Sequence, residues 1–350
     1  MIEYVGAIHM HSVFSDGSGE VPQIAKFADE VRLDYIILTD HNTIRALDEG
    51  YEKWYGNTLC LVGCELNDKE NKNHYLAFGI DKTYSTRISA KEYVKKVRED
   101  GGIGFLAHPH EKREHMKEHP PYPWTEWDTE DFNGLEIWNH MSEWMENLTE
   151  DNKYQAFLHP LRTIQAPQKE TLRIWDELNL KRKVVGIGGV DAHAHKYNLL
   201  GFLEVEIFPY KVLFKSIRTH ILLDKELEKV NDEESIRDSK KFIYAALADG
   251  KCFFANDYHA DSKGFRFYAE TDGKIFQMGD YIESISNKIV LKVLLPVQEG
   301  EIRLIRNSEQ IGESTDKSAE FAVNNKGAYR VEVYIHNKAW IFSNHIRVGL

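Results

Sequence analysis

The sequence predicts an α/β protein with a small all-β unit at its C-terminal end. Two observations carry this, and a third points to function. Strands and helices alternate through the first 257 residues. From residue 258 to residue 350 the texture changes to short strands separated by turns. Histidines gather in the first part, where 12 of the 16 fall between His9 and His195. Repeated β–α units imply a parallel sheet, either open or closed into a barrel. Short strands with frequent turns and no helical period imply a β-sandwich.

Taken in order, Tyr4–His9 reads as a strand and Pro22–Arg32 as a helix, with Pro in its first turn and Ile24, Phe27, Ala28 and Val31 at helical spacing. Tyr35–Leu38 is a short apolar run of the kind buried on both faces. A helix is expected over Ala46–Tyr55, and strands over Leu59–Leu66 and His74–Ile80. Ser89–Asp100 reads as a helix stopped by Gly101-Gly102. Further strands are expected at Ile103–Ala107, Gly134–Trp138 and Val184–Val190, and Ser235–Gly250 reads as the last helix of this half. In the tail, strands are expected at Gly264–Glu270, Lys288–Leu295, Glu301–Arg306, Ala328–Ile335 and Trp340–Val348.

Composition narrows the function. The 350 residues are 42% hydrophobic and 29% charged, an ordinary globular mixture, long enough for two domains without disulfide staples. The net charge of −12 lies wholly before Asp261, because the tail carries 12 acids and 12 bases. An acidic body argues against long nucleic acid, which needs many Lys and Arg contacts to phosphate. It leaves room for a small phosphorylated substrate, because bound metal ions supply local positive charge. The start Met1-Ile2-Glu3-Tyr4 lacks the basic flank of a signal peptide, apolar runs are strand-sized, and three cysteines cannot pair completely. Cys60 and Cys64 read as buried small hydrophobes. A soluble protein of the cytoplasm, with no membrane partner, is expected.

The polar motifs recur at strand ends. His9-Met10-His11 ends the first strand, and residues two apart on a strand point the same way. Asp16-Gly17 follows in a loop, Asp40-His41 sits just past the second strand, and Glu65 sits near the end of the third. His108-Pro109-His110, Glu136 to His140 and Asp191-Ala192-His193 close later strands. In a parallel α/β architecture those ends form one rim, where ligands bind. His74 begins its strand instead. Only Asn67–Asn73 separates it from the Glu65 strand, too few residues for a parallel crossover, so a hairpin is expected with His74 beside Glu65.

This set resembles the PHP superfamily, the polymerase and histidinol phosphatase metallohydrolases. The matching elements are His9-x-His11-Ser12 with Ser15-Asp16-Gly17, Thr39-Asp40-His41, Glu65, His74, Ala107-His108-Pro109 and Asp191-Ala192-His193. Ala339–Asn344 also resembles the C-terminal β-domain of the carbaryl-hydrolase-like branch, with His345 where that motif commonly has proline. The resemblance implies a distorted seven-stranded β/α barrel over 1–257 and a small C-terminal β-sandwich over 258–350. It implies two or three divalent metal ions: one on His9, His11, Glu65 and Asp191, a second sharing Glu65 with His74 and His108, and a third on Asp16, His41 and His193. Imidazoles and carboxylates without thiolate suit zinc, manganese or iron. The activity implied is hydrolysis of a small phosphate ester by a metal-bridging hydroxide, with Glu65 and Asp191 holding the metals and His110 or His193 as candidate acid for the leaving group. Alternatives are a carboxylic or carbamate ester hydrolase using the same site, and a non-catalytic PHP module serving assembly or regulation.

The remaining candidates are divided. His115, His119, His159 and His195 have no rim position and read as solvated or locally bonded. His110 and His140 are open between substrate contact and support of the site, Asn139 and Glu136 between orienting ligands and simple solvation, and the excursion Pro120–Trp127 between a cap on the site and a stiff loop. Arg162 and Lys196 are open between phosphate contact and solvent. The tail has no basic patch and reads as a structural or assembly module.

Overall fold

Apolar four-residue runs too short for a helix are buried at every position only when a sheet is covered on both faces. The computed structural model, which describes residues 1–115, 120–199, 203–283, 288–296 and 300–350, makes such strands of β1 (Ile2–Ile8), β2 (Tyr35–Leu38), β3 (Thr58–Val62), β4 (Cys64–Leu66), β5 (Tyr75–Phe78), β6 (Ile103–Leu106), β7 (Gly134–Asn139) and β8 (Val185–Gly189). β1, β2 and β3 run parallel. Gly63 divides β3 from β4 where a Cβ would press on the Phe78 ring. β4 and β5 form the expected antiparallel pair, with Glu65 opposite Leu76. β6 is antiparallel to β5, and β7 and β8 follow in parallel. Beyond β8 the chain returns to β1: Val190 N–H donates to the Ile8 carbonyl at 3.0 Å and Asp191 N–H to that of His9 at 2.7 Å. His41 bridges to Glu65 across the other gap. The strand ends that carry the histidines are thereby drawn together.

Helices supply the cover. In Val21–Glu30 the buried Val21, Ile24, Ala25 and Ala28 make one stripe, with Pro22 in the first turn. The helix expected over Ala46–Tyr55 is a single turn, Arg45–Asp48. Gly50 ends it at φ 77°, and Lys53–Tyr55 folds back as a strand on β3. Here tertiary pairing overrides a weak helical pattern. Two strands carry no clear sequence signal, β9 (Ile217–Leu223) and β10 (Cys252–Asn256), and neither does the helix Lys169–Lys181.

Those strands tie the halves together. β9 pairs with β1, β10 pairs with β9, and Lys338–Ser343 of the tail pairs with β10, so one sheet runs from the site into the tail. A second, four-stranded sheet lies over it, and the alternating burial of Arg266–Thr271 and Ile289–Leu294 points Phe267, Leu291 and Val293 into the shared core with Trp340 and Ile341. Trp340–Val348 is two strands, Lys338–Ser343 and Ile346–Val348, broken at Asn344-His345. Asn344 bridges the Gly186 and Cys252 carbonyls from this break. Among the described residues no helix is long and apolar enough to cross a membrane.

A buried ionic seam lies along this junction. His220 on β9 meets Glu3 of β1 at 2.8 Å and Asp257 at 3.3 Å, and Arg266 meets Glu3 at 2.5 Å. Burial alone would push the His220 imidazole down. The Asp257 and Glu3 carboxylates outweigh it and lift its pKa to about 9. A raised histidine stabilises fully below its unfolded value near 6.5 and loses that stabilisation as pH climbs through 9. His220 should therefore contribute about 3 kcal/mol to the difference between urea unfolding at pH 6.5 and at pH 9.5, and His220→Gln should remove that contribution. An equal loss in both proteins would refute this role for His220.

Candidate metal centre

The site begins with strand ends bent out of regular geometry. β1 stops at Ile8, and His9 follows with φ 68°. His108 after β6 has φ 28°, and Asp191 after β8 has φ 53°. Non-glycine residues in this region each cost about 1–3 kcal/mol and persist where surrounding bonds over-determine them. Here the His9 carbonyl accepts from Asp191 N–H, and Glu136 Oε2 accepts from His108 N–H at 2.9 Å. His9 and His11 therefore converge for a different reason from strand alternation: Met10 bridges to Ala192, and both rings turn to the same carboxylate.

That carboxylate is Glu65, 1% exposed. Its Oε2 lies 3.1 Å from both His9 Nε2 and His11 Nε2 and 3.5 Å from His41 Nδ1. Its Oε1 lies 2.6 Å from His74 Nδ1 and 3.4 Å from His108 Nε2. Asp191 Oδ1 stands 3.4 Å from the Nε2 atoms of His9 and His11 and 3.6 Å from His193 Nδ1. Asp16 Oδ1 is 3.4 Å from His193 Nε2 and 3.6 Å from His11 Nδ1, and its Oδ2 is 3.7 Å from His41 Nε2. All nine residues expected as ligands thus meet in one cluster. The groupings differ in detail from the implied sets. His11 also stands with Asp16, His41 and His193, and His41 also stands with Glu65 and His74.

The donor set fits divalent cations on two counts. Donors bonded tetrahedrally at about 2.1 Å are about 3.4 Å from one another, which is the spacing between Asp191 and both His9 and His11 and between Glu65 and His108. Both ring nitrogens of His11, Nδ1 of His41 and Nε2 of His74 are buried without a hydrogen bond, a cost that ligation would remove. Electrostatics agree. Burial raises the pKa of a carboxyl, yet the surrounding imidazoles hold Glu65 and Asp191 well below the usual carboxylate range. Burial lowers His11 and His108, but carboxylates lift them to about 10 and about 9. Protons on these rings occupy the place a cation would take, and metal binding releases such protons.

Supports for the cluster are buried behind it. Glu136 Oε1 is 2.8 Å from His9 Nδ1, and Asn139 Nδ2 donates to Glu136 Oε2 at 2.9 Å and to Asp191 Oδ2 at 3.3 Å. A Cβ on Gly189 would overlap Glu136 Oε1, so glycine is needed there. Glu136 fixes the His9 ring with Nε2 facing Glu65, the arrangement that orients metal-binding imidazoles. Asp40 accepts from Ser12 N–H, Ser12 Oγ and Ser15 Oγ, each at 2.7 Å, and so holds the turn that delivers Asp16. Sequence reasoning gives Asp40 and Ser12 no role and misses Tyr210, whose hydroxyl lies 2.7 Å from the His11 carbonyl and 3.0 Å from that of His193. No motif marks it.

A cavity of about 940 Å³ opens from the cluster, with Asp16, His41, His74, His108, Asp191 and His193 on its floor. Tyr122 of the aromatic excursion stacks on His74 with ring centroids 5.1 Å apart, and Arg113 lies over Tyr122 while bonded to Glu111 at 2.5 Å. His195, which has no rim position in the sequence, stacks on His193 and also lines the cavity. His110 is the main correction. It lines a separate small pocket behind the site, bonds Thr171 Oγ1 at 2.9 Å and stacks on Trp127. The turn at His108 swings it away, and burial lowers its pKa to about 4, so it does not face the cavity as the leaving-group acid. His140 is buried against Ser216. His115, His159 and Arg162 are exposed outside the cavity, and His119 lies outside the described residues. Cys60 and Cys64 are buried free thiols whose pKa burial raises.

The fold and the cluster define an α/β protein with a candidate metal centre. Residues 7–98 match the model of the PHP domain. The matched stretch holds His9, His11, Asp16, His41, Glu65 and His74 and stops short of His108, Asp191 and His193. A stretch of 99 residues, 28% of this chain, is 28% identical to the uncharacterized protein MJ1587 of Methanocaldococcus jannaschii. It covers 56% of that protein, so the chain spans about half the length of this curated relative. Among solved structures, a two-domain protein containing a predicted PHP-like metal-dependent phosphoesterase from Bacteroides vulgatus is 14% identical at a TM-score of 0.41, over 98% of this chain and 95% of that one. An amidohydrolase from Chromobacterium violaceum, with bound sulfate and no metal, is 13% identical at a TM-score of 0.32, over 57% and 93%. Neither likeness is close enough to bear on fold or reaction.

Proposed function

We propose that this protein is a multinuclear metal-dependent hydrolase acting on a small phosphate ester. The observation that carries the reading is the buried Glu65 carboxylate, met by five histidines from four separate segments and flanked by Asp191 at the base of a cavity. A carboxylate so placed has no structural need for five imidazoles, whereas a shared metal ligand does. His9, His11, Glu65 and Asp191 would hold one ion, Glu65, His74 and His108 a second, and Asp16, His41 and His193 a third, of zinc, manganese or iron. What divalent ions supply when bound is a nucleophilic water at neutral pH and neutralisation of the phosphoryl oxygens. The chain's own part is orientation. Glu136 accepts from His9 Nδ1 and Asp40 fixes the Asp16 turn, while His193 would donate a proton to the leaving oxygen only where the third ion is absent. The same reading takes 1–257 as the metallohydrolase half, its seven strands a distorted barrel, and 258–350 as a structural β-sandwich. With a net charge of −12, the partner is a small molecule and not long nucleic acid.

A second reading, hydrolysis of a carboxylic or carbamate ester, draws on the cavity's few cations: Arg113 is paired to Glu111 and Lys153 to Glu150. A panel of 4-nitrophenyl esters on manganese- or zinc-loaded protein separates the two. The phosphoesterase reading expects metal-dependent release from the phosphate monoester or diester and little from the acetate. Release from the acetate alone would replace it with the second reading, and silence on a fully metallated sample would favour a non-catalytic module.

A further inference from the structure

The cavity above the cluster has two unlike halves. Its floor is charged, but the wall beyond is built from Met141, Trp144, Met145 and Leu148 on and after the helix His140–Glu146, from Phe157 on the helix Lys153–Leu158, and from Phe208. The wall is pre-formed. The Trp144 indole N–H donates to the Ala156 carbonyl at 3.1 Å, and the rings of Phe157 and Phe208 stand edge-on to Trp144 at 5.0 Å and 4.6 Å. At the mouth, apolar surface is left open to water: Phe157 is 43% exposed and Leu158 76%. Contiguous exposed apolar surface of this kind marks a binding site, and two methionines let such a wall adapt to its ligand.

We infer that this wall binds the alcohol half of the substrate, and that this half is a bulky apolar group, aromatic or branched. The inference rests on the hydrolase reading for the position of the ester bond at the charged floor. The physical argument is complementarity within one cavity. A volume of about 940 Å³ admits a drug-sized molecule, and a sugar or nucleoside laid on the side chains of Met141, Trp144, Met145 and Phe208 would bury hydroxyls against methionine and aromatic carbon, while the cavity's polar side chains beyond the floor include Asn71, Arg113, Lys153 and Glu206. A substrate with its phosphate on the floor and an apolar body on the wall leaves neither half unsatisfied.

The test separates this inference from the hydrolase reading by measuring product binding as well as turnover. 4-Methylumbelliferone, a compact aromatic alcohol, is titrated into the purified protein and followed by its fluorescence. Saturable binding is expected, weakened about tenfold by Phe157→Ser and by Phe208→Ser, since each removes one large apolar contact. Phe157 is partly exposed, so its replacement leaves the fold intact. In turnover, the ratio of kcat/KM for 4-methylumbelliferyl phosphate to that for glycerol 2-phosphate, which in the unmodified protein also carries the better aryl leaving group, should fall about tenfold in both variants. No binding, or binding that neither substitution weakens, overturns the inference whatever the protein hydrolyses. Binding that both substitutions weaken, without hydrolysis of any ester, supports the apolar site and removes the hydrolase reading instead.

Discussion

Replacing Glu65 by Gln is expected to lower kcat/KM on any ester the protein hydrolyses by about 10³-fold or more, equivalent to about 4 kcal/mol of transition-state stabilisation. The substitution keeps shape and removes one negative charge from the point where His9, His11, His41, His74 and His108 meet. An amide has one acceptor oxygen and presents two donors to imidazoles that need acceptors, so it cannot hold two cations between them. The far-UV spectrum should be unchanged, because β4 is held by backbone pairing to β5 and by the Thr39 and Asp40 carbonyls. His115→Ala, at an exposed position outside the cavity, is the matched control and should retain turnover. Equal activity in Glu65→Gln and His115→Ala would remove Glu65 from the site.

Asp176→Ala should cost about 3–5 kcal/mol of stability and lower the melting temperature by on the order of 10 °C, without touching the site. Asp176 lies in the first half of the chain, on the helix Lys169–Lys181, and takes a two-pronged contact from the tail's Arg330, Nε at 2.7 Å and Nη2 at 3.0 Å. His345 adds a third contact at 2.7 Å, and Glu332 takes the other arm of Arg330. Truncating Asp176 strands a buried guanidinium, which is what makes breaking such a pair expensive. Asp176→Leu combined with Arg330→Met and Glu332→Gln should recover most of the loss, because no buried charge is then left without its partner. A single-mutant cost under about 1 kcal/mol in urea melts would show that the halves do not depend on this joint. The network also gives His345 a purpose where the tail motif commonly has proline, since proline has no ring nitrogen to offer Asp176.

Most ligand candidates are legible because each is a His, Asp or Glu at or just past the end of a strand, and parallel strands put such ends on one rim; Asp16 lies in the loop that follows the first of them. The hairpin at His74 is legible from loop length alone. What escapes depends on contacts between distant residues. Glu136 reads as an ordinary strand-end carboxylate until His9, 127 residues away, comes within 2.8 Å. His110 reads as part of a His-Pro-His pair, yet the positive φ of His108 sends it to Thr171 instead. The wall of the cavity comes from helices of six and seven residues, too short to show a helical period. The strand β9 is interrupted by Arg218, Thr219 and His220 and β10 is a short apolar run that a buried helix would match equally well, and only their pairing to β1 and the tail decides.

Metal content measured by mass spectrometry on protein reconstituted with manganese or zinc tests the central claim most directly. Two or three ions per chain are expected in the unmodified protein, with at least one fewer in Glu65→Gln. Less than one ion per chain in the unmodified protein would contradict the metal centre and leave five histidines around Glu65 without an explanation.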